Sequence, residues 1–199
     1  MADMRRPVIR VFASLACLAA ASPALAHTGS VAGGFAGGFL HPVLGPDHLV
    51  AMVAVGLWGA VLGPPALYTL PIVFPLVMAF GGLLGIVGVP LPGAEIVIAI
   101  SAILLGMAVA LVARPPLWIA AVLVGGFAVF HGYAHGTELP PGADALAYSA
   151  GFVIATGCLH LLGIALGLLT RWPDGAVVAR GLGWLIAFTG LVYLSRLAA

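Results

Sequence analysis

The chain contains no lysine, and only 13 of its 199 residues are charged, namely seven arginines and six acidic residues. Three of the arginines lie at positions 5, 6 and 10. This scarcity excludes the basic face with which proteins bind nucleic acid. Two cysteines, Cys17 and Cys158, cannot build a disulfide framework. A nucleotide-binding motif and the His-Glu-x-x-His motif of common zinc proteases are both missing from the sequence. We therefore predict that the protein is not an enzyme, has no ATPase of its own and carries no resident cofactor.

Hydrophobic residues, by contrast, make up 63% of the chain, accompanied by 28 glycines and 15 prolines. Membrane helices tolerate glycine and proline more often than soluble helices do. Six apolar runs are each long enough to cross a bilayer, which takes about 20 helical residues. Short segments rich in proline, glycine and arginine separate these runs, which cover residues 46–62, 67–88, 94–112, 116–135, 144–170 and 179–197. The predicted fold is an all-α integral membrane protein with about six transmembrane helices in a single domain, residues 27–199. The oligomeric state is open, and a homo-oligomer is compatible with the sequence.

Residues 1–26 resemble a secretory leader. A positive stretch, an apolar stretch over 11–21 and the small-residue sequence Ala24-Leu25-Ala26 follow one another in the order of a cleaved signal peptide. Cleavage leaves His27 as a periplasmic N-terminus, in a protein of the bacterial inner membrane. The alternative is an uncleaved first helix, which leaves the topology of the rest unchanged.

The segment before the first run contains closely spaced glycines and then Pro42, Gly45 and Pro46. A straight helix over 30–62 would be about 50 Å long, too long for the hydrocarbon core. We therefore predict a short half-helix or re-entrant segment over 30–41, joined to the first span by a broken linker.

Two imidazoles and a carboxylate, His41, Asp47 and His48, surround this break. Polar side chains are costly in a membrane and usually functional. Pro46 suits the first turn of a helix, which places Asp47 and His48 at the start of the span. The positive end of a helix repels cations, so the Asp47 charge and the carbonyls freed by the break must offset it. These residues predict a cation site; a structural polar cap is the alternative.

A second group, His131, His135 and Glu138, follows the i, i+4, i+7 spacing that places side chains on one helix face. The predicted topology puts it at the same depth as the first group, so we expect one shared site. A simple helix end is the alternative. Three further residues are weaker candidates: His27 through its free amine and ring, Glu95 at a helix start, and His160 near mid-membrane. Glu95 is equally compatible with a solvated helix start, and His160 with an interhelical hydrogen bond.

Imidazole and carboxylate ligands suit Ni²⁺, Co²⁺, Zn²⁺ or Cu²⁺ better than Mg²⁺ or Ca²⁺, which prefer oxygen-rich shells. The partners that the sequence indicates are thus a divalent transition-metal ion and the lipid bilayer. Three functions fit: a metal transporter, a haem protein that uses paired histidines, and a metal chaperone or sensor that does not transport.

The pattern His41-Pro42-x-x-Gly45-x-Asp47-His48-x-x-x-Met52-x-x-Val55-Gly56 resembles the signature of the HupE/UreJ family. The later segment Phe130-His131-Gly132-x-Ala134-His135-Gly136-x-Glu138 is also similar to that family. The resemblance implies a nickel, sometimes cobalt, permease associated with hydrogenase or urease maturation. It also implies secondary uptake of Ni²⁺ across the inner membrane, with the ion as substrate.

The arginines predict the orientation. With an exported N-terminus and six spans, Arg114, Arg171 and Arg180 are cytoplasmic, as the positive-inside rule requires. We predict that a phosphatase fused after Pro141 is active in the periplasm and that one fused after Trp172 is inactive. Fusion activities in the reverse order would contradict this topology.

Overall fold

The computed structural model describes residues 34–139 and 142–198. Within these residues the regular structure is helical throughout, with no strand. The predicted leader and His27 lie outside the described residues. Seven α-helices follow one another, with a short 3₁₀ turn at Leu169–Arg171 before the last: α1 Phe35–Leu44, α2 Pro46–Leu62, α3 Ala66–Ile86, α4 Ala94–Ala110, α5 Leu117–Thr137, α6 Ala145–Leu168 and α7 Pro173–Leu197.

Four of these helices, α3, α5, α6 and α7, are long and apolar enough to cross a membrane. The pair α1 and α2 passes the same test jointly but is bent by 82° at its break, which gives up to five spans. Helix α4, with 17 residues, is a shorter apolar helix. The all-helical membrane fold is thus confirmed, and each predicted apolar run contains a helix; the number of six spans stays a prediction.

Two predicted boundaries differ from the structure, both at prolines. We predicted a half-helix ending at residue 41, but α1 continues through Pro42 and ends at Leu44. We also predicted a short non-helical segment between the runs 144–170 and 179–197, but α7 begins within it at Pro173, with Asp174 in its first turn. Proline lacks the N–H that a first helical turn does not use, and an acidic side chain favours the positive end of a helix. The Pro173-Asp174 pair therefore starts a helix rather than a loop.

Glycines allow the helices to pack with their backbones in close approach. A methyl group at Gly132 of α5 would meet the carbonyl oxygen of Met78 in α3. A methyl group at Gly56 of α2 would likewise meet the His160 carbonyl of α6. Helices α4 and α7 approach each other through Gly106 and Gly183. Small residues allow such contacts in membrane proteins, where packing rather than hydrophobic burial drives helix association.

The two ends of the bundle differ in charge. The junction of α1 and α2, the end of α5 and the start of α6 share one end, with Asp47, Glu138 and Asp144. The opposite end carries Arg114 and Arg180, and the Arg180 Nε donates a 3.0 Å hydrogen bond to the Ala110 carbonyl at the end of α4. The histidines of the two motifs thus lie at the same end as Asp47, Glu138 and Asp144, away from these arginines.

The packing contacts predict the effect of adding one methyl group to α5. Gly132→Ala forces α3 and α5 apart and should destabilise the protein by about 1–3 kcal/mol, the usual cost of overpacking. Gly126→Ala is the matched control, because nothing lies within 4 Å of a methyl group there. Alanine favours a helix over glycine by about 1 kcal/mol, so this variant should be neutral or more stable. Unfolding in mixed micelles measures both, and equal stabilities would contradict the packing account.

Candidate metal centre

The bend between α1 and α2 creates the centre of the site. Gly45 is the one residue between the two helices, with extended backbone at φ −85° and ψ 103°. His41 lies in the last turn of α1, and Asp47 and His48 lie in the first turn of α2. The helix axes turn by 82° here, and the His41 and His48 rings lie with their centroids 5.8 Å apart.

Helix α5 supplies the second pair of histidines. The His135 ring centroid lies 4.3 Å from that of His48 and 4.7 Å from that of His41. One turn deeper, the His131 ring lies 5.6 Å from the His48 ring. The two sequence motifs, about 90 residues apart in the chain, therefore meet in one cluster of four imidazoles.

Three of these imidazoles converge on one point. One ring nitrogen from each of His41, His48 and His135 lies within 4.8 Å of the others. Two nitrogens that each lie about 2.1 Å from the same ion are at most about 4.2 Å apart. A contraction of less than about one ångström would therefore bring all three onto one transition-metal ion.

The buried histidines lack protein partners for several ring nitrogens. His48, His131 and His135 are 7%, 0% and 6% exposed, and the described residues provide no hydrogen-bond partner for His48 Nδ1, His131 Nε2 or either nitrogen of His135. Each unsatisfied buried polar atom costs about 1–3 kcal/mol. A ligand that accepts several imidazole nitrogens at once would remove most of this cost.

One tautomer is fixed by the backbone. His131 Nδ1 lies 2.9 Å from the Phe127 carbonyl oxygen, which can only accept a hydrogen bond. Nδ1 therefore carries the proton, and the lone pair of Nε2 is available to a metal. A backbone carbonyl that orients a histidine in this way is a common feature of metal sites.

The two carboxylates of the motifs contact histidines. A Glu138 carboxylate oxygen lies 3.4 Å from His41 Nε2, and an Asp47 carboxylate oxygen lies 3.8 Å from His48 Nε2. Both carboxylates are partly exposed, at the polar end of the bundle. They can serve as direct ligands or can orient the imidazoles and balance the charge of a bound cation.

The weaker candidates lie elsewhere. Glu95 is exposed in the first turn of α4, outside the group of converging donors. His160 is buried in α6, also outside that group. The exposed position of Glu95 at a helix start agrees with its alternative interpretation as a solvated residue.

The structure also shows aromatic neighbours of the histidines that our sequence analysis did not select. Phe152 of α6 packs 4.0 Å from His135 between ring centroids, and Tyr148 lies 6.2 Å from His41. Phe74 of α3 contacts His131 at 5.4 Å. A cavity of about 260 Å³ reaches His135 between α3, α5 and α6, lined mostly by apolar side chains. Only the four-residue spacing of Tyr148 and Phe152 hints at a shared helix face.

Comparisons with known proteins agree with the resemblance. The family model described as "HupE / UreJ protein" matches residues 15–193. The chain is 45% identical over 185 residues to Protein HupE of Rhizobium leguminosarum bv. viciae. The aligned residues cover 93% of this chain and 97% of that relative. No solved structure matches the chain. Because the family model spans nearly the whole sequence, the chain belongs to the HupE/UreJ family.

Proposed function

We propose that this protein is a secondary transporter that imports Ni²⁺, or Co²⁺, across the bacterial inner membrane for hydrogenase or urease maturation. The observation that carries the proposal is the convergence of three histidine donors, two of them buried, within 4.8 Å at one end of a membrane bundle. Family membership supports the same metal and the same accessory role.

The donor set favours a transition metal. Ni²⁺ and Co²⁺ bind imidazole nitrogen well, whereas Mg²⁺ and Ca²⁺ require mostly oxygen ligands. Convergence on one point suits a single ion. Haem would instead take two axial histidines on opposite faces of a porphyrin, so the geometry favours a metal ion over haem.

The position of the cluster favours entry from the periplasm. In the proposed topology of six spans with a periplasmic mature N-terminus, Asp47, Glu138 and Asp144 lie at the periplasmic end. Negative charge at a mouth raises the local concentration of cations. The ion would pass from Glu138 to the site formed by His41, Asp47 and His48 with His131 and His135, and then inward.

A chaperone or sensor that binds the metal without moving it is the alternative function. The cluster alone is compatible with both, because each needs the same ligands. Uptake of radiolabelled Ni²⁺ by cells that express the chain separates them: transport predicts accumulation inside the cell, whereas a chaperone or sensor predicts binding to membranes alone.

The strongest test uses two matched aspartates. Asp47 and Asp174 each follow a proline at the first position of a helix, but only Asp47 lies beside the histidine cluster. We expect Asp47→Asn to abolish Ni²⁺ uptake, because the substitution removes the charge that offsets a bound cation. Asp174→Asn should leave uptake unchanged.

His48→Ala should also abolish uptake, because it removes one of the three converging donors. Immunoblotting of membranes checks that all variants accumulate equally. Normal uptake by His48→Ala at equal expression would contradict the site assignment.

A further inference from the structure

Beyond the candidate metal centre, His160 is a further buried imidazole, one that the proposed site does not use. It is 1% exposed, and neither ring nitrogen has a hydrogen-bond partner among the described residues. It lies eight residues beyond Phe152 on α6, and Phe152 packs against His135. At the helical rise, His160 therefore lies about 12 Å beyond Phe152 along the α6 axis.

A backbone carbonyl without its helical donor lies on α3, the helix that packs against the same ring. Helix α3 contains Pro71 and Pro75. In a regular helix the N–H of residue 75 would bond to the carbonyl of residue 71, but proline has no N–H. The Pro71 carbonyl therefore lacks its helical donor, and Phe74, three residues later on the same helix, lies 5.4 Å from the His160 ring between centroids.

Other side chains with atoms that can bind a metal lie near His160. His131 Nε2 has no hydrogen-bond partner in the part of the chain that the structure describes, and the Phe74 ring contacts both His131 and His160 at 5.4 Å. The Thr156 hydroxyl, one turn from His160, donates to the Met52 sulfur at 3.4 Å, and both residues are fully buried. An imidazole, a thioether and a hydroxyl are thus buried in the same part of the bundle as His160.

We propose that His160, with the Pro71 carbonyl, forms a second and weaker station for the same divalent transition-metal ion on its way inward. One imidazole and one carbonyl hold an ion less tightly than three imidazoles do. A transported ion must leave each site as well as enter it, and an interior step without ligands is costly for a charge. This inference rests on the proposed function.

A thiol placed at the station reports directly on whether an ion reaches it. In a background with Cys17→Ser and Cys158→Ser, His160→Cys should give a thiolate-to-cobalt charge-transfer band when Co²⁺ is added to the purified protein, because thiolate binds such metals strongly. Leu161→Cys is the matched control, since Leu161 is adjacent but 65% exposed on the outer face of α6; it should give no band. A missing band in His160→Cys, with Co²⁺ binding to the outer cluster intact, would overturn the station.

Uptake measurements separate a ligand from a structural role. His160→Leu preserves the size of the side chain but not the donor, and it should slow Ni²⁺ uptake about tenfold or more while binding at the outer cluster is unchanged. His160→Met retains a donor and should recover much of the rate. Ni²⁺ uptake at the wild-type rate by His160→Leu would contradict the second station alone. Absence of Ni²⁺ uptake by the wild-type protein would instead contradict the proposed transport function.

Discussion

The arrangement of the site depends on the 82° bend at Gly45. On a straight helix, His41 and His48 would lie two turns apart along one face, about 10 Å from each other. The bend instead brings their rings to 5.8 Å and opens a space that His135 of α5 fills. Gly38 lets α1 approach the backbone of α6 closely at Tyr148, which fixes the direction in which α1 leaves the bend.

The buried imidazoles are stable only in a protein that compensates their cost elsewhere. Nitrogens without a partner among the described residues, on His48, His131, His135 and His160, reduce stability. Close backbone packing at glycines provides helix contacts that offset this cost. Such a site is ready for a cation, because no hydrogen bond has to break before those nitrogens bind it. The same lack of protein partners keeps the nitrogens available at more than one depth.

Much of this arrangement was predictable from local sequence. Helical spans follow from apolar runs, the start of α2 from Pro46, and the shared face of His131 and His135 from their spacing. The size and direction of the bend could not be predicted, because they depend on how α1 packs against α6, which lies far along the chain. The contact of Glu138 with His41 likewise depends on tertiary packing, and Phe74 carries no local signal at all. Our prediction of the start of α7 was wrong because we interpreted Pro173 only as a loop residue.

The central claim is that imidazoles from both motifs hold one transition-metal ion at the bend. Nickel K-edge X-ray absorption on the purified protein, loaded with one equivalent of Ni²⁺, tests it most directly. We expect nitrogen and oxygen ligands with the multiple scattering of at least two imidazoles and no sulfur, and a loss of imidazole signal in His48→Ala. A spectrum with oxygen ligands alone, or one unchanged by that substitution, would contradict it.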